Sequence, residues 1–188
     1  MDTVLRINAA SLDEALVKNF KDQFGQSAEL EIRVHTPPTF PPPMSEEQFW
    51  SIIVLLDWTR QDGPEAVMAS AVIALAALSK AAIHRFEDIM SEKLWSLDTE
   101  AHALASLGGN ADERLSEDLF LYDRCGVVAQ GKTFFEQVLH NPAKFPVNQS
   151  FSPLLRVARI AYEKKTGEQF MHFPAHSYET YSNESGWA

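Results

Sequence analysis

The sequence predicts a mainly α protein, a multi-helix globular domain preceded by a small β-α-β N-terminal unit, and three observations predict it. Beyond residue 44, apolar side chains recur at three- and four-residue spacing. Helix caps and Gly/Pro stops punctuate that pattern at intervals suited to ordinary helices. Ahead of it, five prolines in the eight residues Thr36 to Pro43 cut off a front segment with a different periodicity.

In chain order, the front segment (1–36) reads as two strands around a helix. Thr3 to Asn8 is β-prone, and Glu29 to Val34 alternates Leu30, Ile32 and Val34. Between them Ser11 and Glu14 form a capping box, and Leu12, Leu16, Phe20 and Phe24 recur at helical spacing up to Gly25. Two strands and one helix are too few to enclose a core, so this unit must dock on its own chain or pair with another. Residues 37–43 form a stiff proline-rich linker, and 44–188 form the helical domain.

The first helix of that domain is expected from Glu46, capped by Ser45 and Gln48 with Met44 stapled to Phe49. Phe49, Ile52, Ile53, Leu56 and Arg60 form its stripe until Asp62-Gly63-Pro64 stops it. Pro64 opens a second helix to about Leu78. A third and longest helix should run from about Lys80 to Leu107, ended by Gly108-Gly109, with Ile83, Phe86, Met90, Leu94, Leu97, Ala101 and Leu104 inward. Ser116 to Val128 and Gly131 to His140 are two more helical segments. A last helix opens at Ser152-Pro153 and stops at Gly167. Phe170 to Ala188 has aromatics without helical period and reads as an extended tail packed on the helices.

Composition narrows the functional classes. Of 188 residues 45% are hydrophobic, enough to build a core. Sixteen Lys and Arg against 26 Asp and Glu leave a formal charge of -10, which repels nucleic acid and anionic lipid and suits a basic or apolar partner. The one cysteine, Cys125, leaves no partner for an internal disulfide and no Cys-based zinc cluster. The N-terminus lacks the basic start and apolar run of a signal peptide, and Ala66 to Leu78 is too short to span a bilayer, so a cytoplasmic protein is expected.

Three groups of residues could carry chemistry. On the expected long helix, His84, Asp88, Ser91, Trp95, Asp98 and His102 fall within about 80° of one another at 100° per residue. Their His/carboxylate pairs at i, i+4 could bind a divalent cation or orient a base, and equally form an ordinary solvated face; neither pair matches a metalloenzyme helix signature. In the segment Asp118 to Cys125, Arg124 suits a buried carboxylate, Glu87 or Asp118, while Cys125 sits at core spacing. In the tail, Tyr178, Glu179, Asn183 and Trp187 alternate donors, acceptors and rings, fit for a ligand or for capping helix ends. Candidate binding residues are therefore His84, Glu87, Asp88, Arg124, Tyr178, Glu179, Asn183 and Trp187. No residue is nominated as catalytic or metal-ligating, no cofactor is expected, and there is no phosphate loop or nucleophile elbow.

FWSIIVLLDW at 49 to 58, RFEDIMSEKLWSLDTEA at 85 to 101, LFLYDRCGVVAQGKTFFEQVL at 119 to 139, and AYEKKTG followed by SYETYSNESGW resemble, in order, a bacterial family catalogued as a domain of unknown function. Members occur alone or joined to WGR domains in proteins labelled molybdenum-metabolism-regulator-like. The resemblance spans about Met44 to Trp187 and implies an all-helical domain with no established reaction. It marks Phe49, Trp50, Glu87, Arg124, Gly131, Tyr162, Glu179, Asn183 and Trp187 as positions to watch. Residues 1 to 36 are extra to it, and their β-α-β order is similar to small antitoxin-type oligomerisation segments.

The expectation is a non-enzymatic protein-binding or regulatory module of antitoxin or immunity type, meeting a protein partner or a second copy through the N-terminal unit. The alternative is a small-molecule or metal-dependent enzyme with a polar pocket between the long helix and the tail, using Glu87 or Asp88 with His84 and Arg124.

Overall fold

The computed structural model describes residues 43–110, 112 and 114–188, together with the isolated positions Lys18 and Gln23. The chain divides into two compact units, Met1–Thr39 and Phe40–Ala188, and the description below is of the second. The expected β-α-β unit, those two positions apart, and the linker as far as Pro42 lie outside the described residues.

The second unit is mainly helical, with seven α-helices and no strand among the described residues. Helix α1 (Glu46–Ile53) starts as expected: the Ser45 hydroxyl accepts from Gln48 N at 3.2 Å and the Gln48 side chain accepts from Ser45 N at 2.8 Å. Met44 and Phe49 on either side of that box are both buried, as a hydrophobic staple requires. The helix is shorter than the stripe to Arg60 suggested. Leu55 N and Leu56 N fall back on carbonyls three residues earlier, and Asp57 N bonds to Val67 O in the next helix, so a tertiary bond takes over where the helical ladder stops.

Helix α2 (Pro64–Ala77) has proline at its first position behind Gly63, whose φ of 100° suits glycine. Its buried face, Val67, Met68, Ala71, Val72 and Leu75, packs chiefly on α7 (Val157–Thr166). Small residues at Ala71, Ala158 and Ala161 are almost wholly buried, which lets the two backbones approach closely. The approach to α7 is a 3₁₀ turn (Ser152–Arg156) rather than α-helix from Ser152, and Gly167 ends α7 in the left-handed conformation.

Helix α3 (Lys80–Ser96), capped by Ser79, is the centre of the fold and packs on α1, α2, α5 (Glu117–Ala129) and α7. Its Ile83, Phe86, Ile89, Met90 and Leu94 are buried and meet Phe49, Phe120, Leu121 and Val128 in one continuous core. The expected single helix to Leu107 is corrected here. It breaks at Leu97-Asp98-Thr99, and Thr99 adopts extended backbone and caps a separate α4 (Glu100–Ser106). Helix α6 (Lys132–His140) follows α5 through Gly131, and a 3₁₀ turn (Pro142–Lys144) returns the chain towards α4. Gly126 of α5 lies under the loop ahead of Phe151, where a Cβ would stand 1.7 Å from Gln149 O, so only glycine fits.

Candidate functional site between helix α3 and the C-terminal strap

After Gly167 the chain runs alongside α3 in the same direction as a strap, Glu168 to Trp187. Lys80 bonds Glu168 near the start of α3 (2.8 Å), Asp88 meets His172 in the middle, and Trp95 Nε1 donates to Ser182 O near its end (3.3 Å). From Phe170 to Thr180 burial alternates residue by residue, with Phe170, His172, Pro174, His176, Tyr178 and Thr180 turned inward, the period of an extended chain. The tail is thus extended and packed on the helices from Phe170 to Thr180, as the lack of helical period predicts, but it ends in a turn at Tyr181 and a 3₁₀ helix (Glu184–Gly186) rather than as extended chain.

The helix break creates the strap's buried anchor. Asp98, fully buried, accepts from Tyr181 N (3.2 Å), Ser182 Oγ (3.4 Å) and Asn183 N (3.0 Å), so one carboxylate takes up donors that would otherwise be stranded. Asn183 donates its amide to Trp95 O at 3.2 Å. Gly186 is held so close that a Cβ would lie 2.8 Å from Thr99 Cγ2 and 2.9 Å from Asp98 O.

Arg124 completes the anchor from α5. It is fully buried and stands 3.9 Å from Asp98, over the Phe120 ring. It donates to Leu94 O (2.9 Å), Tyr178 O (3.0 Å) and Thr180 Oγ1 (3.0 Å). Its carboxylate partner is therefore Asp98, not Glu87 or Asp118: Asp98 reaches it because the chain leaves the helix one residue earlier. Burial pushes the Arg124 guanidinium below its ordinary value, and Asp98 is the first charge to oppose that. The same break separates Asp98 from His102. The buried His102 ring meets Thr99 Oγ1 at 2.7 Å and Val138 O at 3.1 Å, burial lowers its pKa, and it serves packing rather than a polar stripe.

His84 and Asp88 join a different cluster. The His84 ring stacks on His172 at 4.6 Å and 5° and on Tyr162 at 5.4 Å and 19°, with Phe170 5.6 Å away. His172 Nε2 and Asp88 Oδ1 are 2.7 Å apart, both side chains partly exposed. Burial, then the neighbouring His172, hold His84 below the usual histidine value, while Asp88 pulls the other way. The rings lie face to face, so their nitrogens do not converge on one point. Among the described residues no group of three metal-capable side chains gathers.

Glu87, one residue from Asp88, faces the core instead. It is buried, its Oε2 has no hydrogen-bond partner among the described residues, and burial followed by Asp88's charge pushes its pKa up to about 7. Tyr178 is raised by its own burial and then by Glu87. Cys125 is fully buried and well above the ordinary thiol value, hence an inert core residue. Glu179 is exposed. Trp187 packs near Tyr181 and Phe120, its Nε1 buried without a partner among the described residues.

The eight candidate residues thus fall into separate places: His84 with Asp88, Arg124 with Tyr178 beside the Asn183 turn, Glu87 in the core without a hydrogen bond to them but close enough to raise Tyr178, and Glu179 and Trp187 at the surface and the strap's end. Among the described residues their hydrogen bonds and ring contacts do not bring them together at one point. An open cleft of about 410 Å³ does lie between α4 and the strap, but Ala101, Leu104, Leu107, Tyr181 and Trp187 give it an apolar wall. Sequence reasoning missed His172 and Phe170: the outward Met171 and Phe173 are as apolar as the inward side chains, so hydropathy offered no alternation by which to find them. It paired Asp98 with His102 when its partners are strap backbone and Arg124.

Compared with known proteins, no curated protein and no solved structure matches this chain. A family described as a protein of unknown function, DUF4240, matches over residues 44–165, taking in α1 to α6 and all but the last residue of α7, and stopping short of the strap. With most of its length inside that match, the chain belongs to the DUF4240 family.

Proposed function

We propose that this chain is a non-enzymatic, regulatory protein-binding module, of the antitoxin or immunity type, and that its partner docks on the outward face of the strap. The observation that carries this reading is the segment Gln169–His176. Met171 is 67% exposed and Phe173 88% exposed, on an extended chain whose inward side chains are already packed. Among the described residues, no hydrogen bond engages the backbone of 169–176. An extended segment whose backbone groups make no bond among the described residues, and whose apolar side chains face outward, offers what an added strand from a partner uses on either side of Pro174, which has no N–H: main-chain bonds for affinity and alternate side chains for specificity. The formal charge of -10 favours a partner with a basic surface. The enzyme reading draws less support, because Glu87, Arg124 and the His84/Asp88 pair do not share a cavity.

The test begins with native mass spectrometry of the protein purified from its own host, followed by titration of the partner so identified against the purified chain. The double variant Met171→Ser/Phe173→Ser, altered only at exposed positions, is expected to keep its fold and lose at least about tenfold in affinity, the scale of removing interface anchors. A chain that purifies alone, or a partner that binds the double variant as well as the parent, overturns the reading.

A further inference from the structure

We propose that the stacked His84–His172 pair is a pH-sensitive latch, which holds the strap segment 168–176 on α3 when His84 is neutral and lets it go when His84 takes up a proton. The latch governs the surface on which the docking reading rests, and its use by a partner depends on that reading.

The geometry leaves a proton on His84 little room. Its ring is sandwiched between Tyr162 of α7 and His172 of the strap, with Phe170 alongside. The charged and titratable groups facing it are few. On α3 they are Lys80, one turn before it, and Asp88, one turn after; on α7 Tyr162; after α7 Glu168; on the strap His172. Glu168 is engaged by Lys80 at 2.8 Å and accepts from the Tyr162 hydroxyl at 3.4 Å. Asp88 is engaged by His172 at 2.7 Å. Asp88 and Glu168 therefore already serve other donors, Glu87, three residues along α3, is turned into the core, and Lys80 and a second imidazole stand next to His84. A cation on each of two parallel rings at 4.6 Å would repel across the plane that joins strap to helix.

The sign follows from linkage. Docked, His84 sits below its ordinary value of 6.5, from burial and then from His172; released into water, it returns to that value. The released form binds more protons, so attachment is complete above pH 6.5 and weakens as pH falls below it. No other latch is forced open with it. The Asp98 anchor, some ten residues further along the strap, holds its donors by a carboxylate among backbone groups, so opening is confined to the half of the strap that carries Met171 and Phe173.

The experiment is nuclear magnetic resonance on the isolated chain at pH 7.5 and pH 5.5. The contacts between the His84 and His172 rings are expected to be present at pH 7.5 and absent at pH 5.5. The backbone order parameters of Met171, His172 and Phe173 should fall from about 0.85 to under about 0.6, while Cys125 and Val127 in the core stay near about 0.85. In His84→Phe, which keeps a flat ring that cannot be protonated, the fall should disappear. Should that variant already loosen the strap at pH 7.5, the ring titration of the unaltered protein decides: the His84 midpoint must coincide with the loss of order. A strap equally ordered at both pH values, a fall that persists in an otherwise native His84→Phe, or a loss of order shared by Cys125 and Val127 overturns the latch. Partner affinity at pH 7.5 reads docking separately, so either idea can fail alone.

Discussion

Among the contacts that hold the strap, two centre on an aspartate, and they differ in what surrounds it. Asp98 and Arg124 are wholly inside, with neighbouring backbone groups turned towards them. Asp88 and His172 make a shorter contact, 2.7 Å against 3.9 Å, yet both are partly open to water. Distance alone would rank the second pair higher. Environment reverses the order, because a buried charge deprived of its partner has no water to turn to, whereas an exposed one is screened at once. The teaching is that the deep anchor is structural and the shallow one is adjustable.

The largest effect that could break this contrast is at Arg124. Arg124→Ala leaves Asp98 as an uncompensated buried charge, and a loss of about 3–5 kcal/mol is expected in urea unfolding. A loss under about 1 kcal/mol would mean that Asp98 is satisfied by the strap backbone alone.

Glu87 sharpens the contrast from the other side, as a buried carboxyl whose Oε2 has no partner among the described residues. Its folded pKa is raised to about 7 from 4.5, so the fold carries a cost that is complete above about pH 7 and fades as pH falls from there to 4.5, where the unfolded chain protonates too. Glu87→Gln is expected to stabilise the protein by about 2–3 kcal/mol at pH 8, and by under about 1 kcal/mol at pH 5. Thermal unfolding at the two pH values reads this as a melting-point gain that shrinks on acidification. An equal gain at both would show that burial of the side chain, rather than its charge, sets the cost.

Gly186→Ala tests whether the anchor is as tight as it looks. The added Cβ must displace Thr99 or the Asp98 carbonyl, and a loss of about 1–3 kcal/mol is expected by thermal denaturation. Asp88→Asn is the smallest change. With both partners partly exposed, the loss should stay under about 1 kcal/mol, and a double-mutant cycle with His172→Gln measures the pair directly. A coupling as large as the Arg124 effect would erase the distinction between the two attachments.

Much of the scaffold was legible because its causes are local. Ser45 with Gln48, Pro64 behind Gly63, Ser116 and Gly167 mark helix ends through bonds and torsions that involve only a few neighbouring residues. The site was legible in pieces. His84 and Asp88 do stand on one face of α3, and Arg124 does take a buried carboxylate, but the choice of Asp98 over Glu87 was out of reach.

By itself, then, the sequence determined a mainly helical domain, the starts of most of its helices, the inert burial of Cys125 and an extended tail, since periodicity and capping are short-range properties. Only the tertiary structure decided that the long helix breaks at Leu97 to Thr99. Nothing in Leu-Asp-Thr-Glu forbids helix. The break is favoured because Asp98 gains three strap donors and a buried arginine from segments distant in the chain; the Thr99 cap is a local mark of it, but a threonine alone does not force a helix to stop. The same holds for the pairing of His84 with His172, which exists because α7 and the strap fold back along α3.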